Sequence, residues 1–91
     1  MNYNIGQIVK YDEIKSENFI IIATKNEPLT ESFLKTKQGN FKIENFTEIA
    51  KIGVFVSEGF DYSIAKIIDT IEDKFVIENK FINVCEINIE E

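Results

Sequence analysis

The chain has 91 residues, 44% of them hydrophobic, a formal net charge of -6, eight Phe and three Tyr; it has no His, Arg or Trp, a single Cys (Cys85) and a single Pro (Pro28). That length makes one small domain around one core, and the missing residue types exclude an imidazole base near neutral pH, a guanidinium fork for phosphate and a Cys/His set for zinc. Sixteen acids against ten lysines spread along the chain also disfavour direct binding to nucleic acid.

Along the chain, Gly6-Gln7-Ile8-Val9-Lys10-Tyr11 reads as an opening strand, and the polar run Ile14-Lys15-Ser16-Glu17-Asn18 as the loop after it. Phe19 to Thr24 contains the longest apolar run, Phe19-Ile20-Ile21-Ile22-Ala23, which has the length and branching of a strand buried on both faces and is far short of a membrane span. Lys25-Asn26-Glu27-Pro28 ends it, because proline gives no N–H to a ladder and restrains the residue before it. Thr30-Glu31-Ser32-Phe33-Leu34-Lys35 fits a single helical turn, and Lys37-Gln38-Gly39-Asn40 a chain reversal. A strand is expected to restart at Phe41, where Phe41-Lys42-Ile43-Glu44 alternates with period two. Ile49-Ala50-Lys51-Ile52-Gly53-Val54-Phe55-Val56 is expected as another strand, with Gly53 a bulge or a close backbone approach.

Two readings compete between Phe60 and Phe75. Phe60, Ile64, Ile67, Ile68, Ile71 and Phe75 recur at helical spacing, with Asp61 or Ser63 available as a cap. The same stretch is rich in β-branched residues, and Glu72-Asp73-Lys74 has the character of a hairpin turn leading into Phe75-Val76-Ile77-Glu78. Phe81 to Ile89 follows as a last strand with Phe81, Cys85, Ile87 and Ile89 in its apolar set. Phe41-Lys42-Ile43-Glu44-Asn45 recurs as Phe75-Val76-Ile77-Glu78-Asn79, which as an internal repeat would divide the domain into similar halves at about 19–56 and 62–90. The fold expectation is mostly β: a small, strongly bent sheet or SH3-like barrel of about five to seven strands, with room for one short helix. The alternative is α+β, with a helix at about 61–74 packed on the sheet. Either buries Phe19, Ile21, Phe41, Ile43, Ile52, Val54, Ile67, Phe75, Ile77 and Ile87, with Cys85 a small core residue.

Carboxylates are the only plentiful acid–base groups. Asp12 with Glu13, and Asp69 with Glu72 and Asp73, are the groupings from which an enzyme would draw a pair with separated pKa values. Their polar neighbours read as solvated surface, where no such separation arises. Cys85 and the serines have no histidine base, the isolated glycines (Gly6, Gly39, Gly53, Gly59) form no phosphate-cradling loop, and no calcium-loop pattern is present. No catalytic residue, cofactor or metal site is therefore expected. Phe55-Val56-Ser57-Glu58-Gly59-Phe60-Asp61-Tyr62 has the composition of an interaction surface, aromatics beside acids on a loop, with Glu58, Phe60, Asp61 and Tyr62 as its candidate partner contacts. The competing reading folds Phe60 and Tyr62 back over the core. Glu27 to Gly39, anchored by Phe33 and Leu34, is a second candidate.

The functional expectation is a non-catalytic protein-interaction module, such as a small acidic inhibitor, immunity-type or accessory protein that occupies a basic partner surface. The alternatives are a small β-barrel accessory of a nucleic-acid machine, argued from fold analogy alone, and a carboxylate-based enzyme. An edge strand at Phe81 to Ile89 is a candidate for homodimer pairing, guarded by Glu90-Glu91. Met1 to Ile8 has neither the basic nor the apolar region of a signal peptide, and with a single cysteine the chain is expected in the cytoplasm, away from membranes. Its wealth of Ile, Lys and Asn reflects AT-rich coding, as in a low-GC bacterium or its phage.

Overall fold

The computed structural model describes residues 2–37 and 41–91. The chain is mostly β, built on a five-stranded antiparallel sheet that stays open. Its strands are β1 (Ile8–Tyr11), β2 (Ile14–Thr24), β3 (Tyr62–Ile71), β4 (Lys74–Val84) and β5 (Ile89–Glu90), laid side by side in the order β4-β3-β2-β1-β5. Two short helices, α1 (Glu31–Thr36) and α2 (Phe46–Ile52), interrupt the excursion from β2 to β3, and a 3-10 turn (Glu86–Asn88) separates β4 from β5. The barrel reading is corrected: β4 and β5 are the two ends of the order, and no ladder joins them.

The central strands explain why periodicity misled. Phe19 to Ala23 of β2 and Tyr62 to Ala65 of β3 are buried without alternation, as strands covered on both faces must be. The cover comes from Tyr3 and Ile5 near the N-terminus and from Leu29, Phe33, Ile43, Phe46, Ile49, Ala50 and Val54 in the helical excursion, which join the sheet residues in one core. The helix of the alternative α+β reading, at about 61–74, does not form. Its stripe of Ile64, Ile67, Ile68 and Ile71 splits in β3, where Ile64 is buried while Ile68 and Ile71 are exposed. Pairing to β2 on one side and β4 on the other overrides the helical spacing.

The turn of the β3–β4 hairpin is Glu72-Asp73, as its polarity predicts, and both residues have positive φ (49° and 66°), the type I′ geometry that matches strand twist. The expected loop at Ile14–Asn18 is instead the first half of β2, though an irregular one. Between the pairs Val9–Phe19 and Tyr11–Ile14, one residue of β1 faces Lys15 to Asn18 of β2. A comparable irregularity lies between Ala65–Phe81 and Ile67–Ile77, where Lys66 of β3 faces Glu78, Asn79 and Lys80 of β4.

Helix α1 starts where the sequence places it: the Thr30 hydroxyl accepts the Phe33 N–H at 3.1 Å, with Glu31 in the first turn and Lys35 in the last. The strand expected at Ile49–Val56 is a correction. Phe46, Ile49 and Ala50 are buried at helical spacing in α2, and Gly53 stops the helix at φ 84°, donating its N–H to the Ile49 carbonyl at 3.1 Å. Nor does Phe41–Glu44 form a strand; only Ile43 makes a bridge, parallel, to Phe75. The similar segments starting at Phe41 and Phe75 therefore do not fold alike, yet they lie side by side: Phe75 donates to Lys42 O at 2.6 Å and accepts from Glu44 N at 2.8 Å. Asn45 continues this pairing with its side chain, donating to Ile77 O at 3.0 Å and accepting from Ile77 N at 3.4 Å. The last expected strand, Phe81–Ile89, is broken at Val84 by the 3-10 turn.

Of the expected core, Ile52 and Ile87 are corrections, 76% and 90% exposed, and Phe41, Ile67, Phe75 and Cys85 are half-buried. Ile52 falls on the outer face of α2, and Ile87 on the 3-10 turn where the strand was expected to continue. Gln38, Gly39 and Asn40, most of the expected chain reversal, lie outside the described residues.

Candidate functional site

The segment Gly53–Asp61 connects α2 to β3 across the end of the sheet. It is fastened to the end of β4 and the segment that follows it by a row of hydrogen bonds. Ser57 N–H donates to Asn83 Oδ1 at 3.1 Å and Asn83 Nδ2 returns a bond to Ser57 Oγ at 3.2 Å. The Cys85 thiol points to Gly59 O at 3.7 Å, Asp61 N–H donates to Val84 O at 2.9 Å, and Glu86 N–H donates to Asp61 Oδ2 at 2.8 Å. These bonds set Phe60 (40% exposed) and Ile87 on adjoining loops, while Phe55, 67% exposed, stands earlier on the first loop.

The four candidate contacts divide into two kinds. Glu58 and Phe60 are exposed. Asp61 holds the junction together: besides Glu86 N–H its carboxylate takes the Lys25 ammonium at 3.1 Å, and its carbonyl accepts Lys25 N–H at 3.0 Å. The Glu86 amide and then Lys25 hold the Asp61 carboxyl below its ordinary range. Tyr62 opens β3 and turns into the core, its ring 5.5 Å from that of Tyr3 in a T-shaped contact and its hydroxyl accepting Tyr3 N–H at 3.1 Å. Beside this junction lies a cleft of about 290 Å³ with polar walls, among them Asn2, Thr24, Lys25, Glu27 and Asp61. Its lysine is already held by Asp61.

Of the two exposed residues that the sequence places in the core, Ile52 and Ile87, the second belongs to this site. Alternation across Cys85, Ile87 and Ile89 imitates a strand, and nothing in Glu86-Ile87-Asn88 marks a 3-10 turn. The charge pattern, by contrast, is legible: residues 53–61 and 83–91 carry Glu58, Asp61, Glu86, Glu90 and Glu91 and no lysine. In the other candidate segment Phe33 is buried and Leu34 half-buried, so neither is presented as a free anchor.

The carboxylate groupings sit on turns. Asp12 and Glu13 form the exposed β1–β2 connection, where Asp12 Oδ2 accepts from Asn88 Nδ2 at 3.0 Å, and Asp69, Glu72 and Asp73 are exposed at the end of the β3–β4 hairpin. Among the described residues no three His, Cys, Asp or Glu side chains are grouped to hold a metal ion, and no helix is long and apolar enough to cross a membrane. In comparisons with protein-family models, curated proteins and solved structures, the chain matches none.

Proposed function

We propose that the chain is a non-catalytic protein-interaction module that presents the joined loops 53–61 and 83–91 to a basic partner surface. The observation that carries this reading is the coincidence, on two hydrogen-bonded segments that contain no lysine, of exposed Phe55, Phe60 and Ile87 with the exposed carboxylates Glu58, Glu90 and Glu91. Aromatic and aliphatic anchors supply binding energy when a partner dries them, and surrounding charge of one sign steers the encounter and selects the opposite sign. The net charge of -6 adds a long-range attraction for a basic surface.

The test uses the full chain on a support against lysate of its own host, with stepwise salt elution. Phe60→Ala with Ile87→Ala, and Glu58→Lys, serve as variants; all three positions are exposed, so the fold is expected to persist and is checked by circular dichroism. One stoichiometric basic protein should bind the native chain, leave as salt rises, and bind the double variant at least about fivefold more weakly, as loss of an interface anchor does. A partner retained equally by both variants, or released without regard to salt, rules the reading out.

A further inference from the structure

A second concavity, distinct from the joined loops, lies on the sheet and has a different chemistry. It encloses about 250 Å³ and is lined by Ile14, Phe19, Lys66, Glu78, Lys80 and Ile82. The two ladder irregularities border it. On one side Lys15 to Asn18 of β2 leave the β1 ladder just before Phe19; on the other Glu78, Asn79 and Lys80 of β4 leave the β3 ladder opposite Lys66. Bulges interrupt pairing and re-aim side chains, and two of them at one level of a sheet open a recess that regular pairing would have closed. Phe19 lies fully buried beneath it, and Ile14 and Ile82 supply the accessible apolar wall. Two of the ten lysines of this acidic chain line the recess, against one of its sixteen acids. Lys80 is exposed and has no ion-pair partner among the described residues, and Lys66 reaches Glu17 only at 3.8 Å, a loose contact that an incoming carboxylate can replace.

We infer that this recess binds a small amphipathic monoanion, an apolar chain or ring bearing one carboxylate. The apolar part lies against Ile14 and Ile82, and the carboxylate accepts hydrogen bonds from the Lys66 and Lys80 ammonium groups. At roughly 30 Å³ for each water-sized atom, the recess takes about eight of the ten non-hydrogen atoms of octanoate, and the end of the alkyl chain stands clear of its open rim. The experiment is an amide and isoleucine-methyl NMR titration of the full chain with sodium octanoate, and in parallel with 1-octanol and octylammonium. Octanoate should give saturable shifts centred on Ile14, Lys66, Glu78, Lys80 and Ile82, with a dissociation constant of about 1 mM, as a shallow site and a ligand this small permit. 1-Octanol and octylammonium should bind at least about fivefold more weakly, the margin that a charge-assisted contact supplies. Lys80→Gln, at an exposed position, should weaken octanoate about three- to tenfold with the rest of the spectrum unchanged. Ile14→Glu, which sets a carboxylate at the rim, should abolish binding. Equal binding of octanoate and 1-octanol, tighter binding of octylammonium, shifts centred on Phe60 and Ile87, or no saturation would each overturn the inference.

Discussion

Tyr62 and Asp61 are adjacent in sequence and do opposite things with their polar atoms. The Tyr62 hydroxyl is the acceptor for a buried backbone amide, Tyr3 N–H, while the ring keeps its edge contact with Tyr3. Tyr62→Phe preserves the ring and removes the acceptor, so unfolding in urea should show a loss of about 1–2 kcal/mol, the cost of a buried unmatched amide. Asp61 works through charge. Its carboxyl is held below the ordinary range by Glu86 N–H and Lys25, so the folded state takes up a proton less readily than the unfolded chain. That stability is therefore present above the unfolded value of about 3.9 and is lost as pH falls through the depressed folded value. Asp61→Asn, which keeps an oxygen for Glu86 N–H, should melt below the native protein at pH 7, with the difference closing under acid. Composition shows aromatics beside acids at Phe60–Tyr62. Which of them faces water depends on where β3 begins, and that follows from pairing to residues far along the chain.

Among the elements, those with a local chemical signal were readable. The Thr30 cap of α1, the run Phe19–Ala23 and the Glu72-Asp73 turn each declare themselves within a few residues. The α2 segment and β3 exchanged their signatures. Ile49 and Ile52, with Val54 and Val56 just beyond it, gave a helix the branching of a strand, and Phe60 to Phe75 gave two paired strands the spacing of a helix, since Tyr62 to Ala65 are buried on both faces and show no alternation. Non-local pairing decided both cases. The hairpin turn also leaves stability unused: Glu72 and Asp73 hold left-handed backbone, which Gly adopts freely and L residues apart from Asn and Asp adopt at a clear penalty. Glu72→Asn with Asp73→Gly should raise the unfolding free energy by about 1 kcal/mol and shift the urea midpoint upward without changing the slope.

Across the whole molecule the two ends of the chain are joined. Tyr3 reaches Ile89 O at 3.5 Å, Gln7 Nε2 donates to Glu91 Oε1 at 2.8 Å, and Asp12 N–H donates to Asn88 O at 2.9 Å. Burial raises the Tyr3 phenol above its ordinary value, with nearby acids adding to it, and burial together with Glu13 raises Tyr11. The folded state thus holds these protons more tightly than the unfolded chain, and their contribution is complete below the unfolded value of about 10 and disappears as pH rises through the raised folded values. Melting temperature should fall above about pH 10, and absorbance should show phenolate appearing together with unfolding. A chain that closes on itself in this way gives few clues to a reader of sequence, since Tyr3 and Ile89 owe their burial to each other's end of the molecule.

The Asn45 side chain has a consequence beyond this one fold. Fibre growth requires each layer to offer the next an open row of peptide groups, and the dry zippers that stabilise fibres form from segments of six or seven residues. On the outer side of β4 the Asn45 amide occupies Ile77, and the Ser57–Asn83 clasp sits near the far end. Between them, among the described residues, lie only Glu78 to Ile82, a row that contains two charges and a bulge and is too short to template a stack.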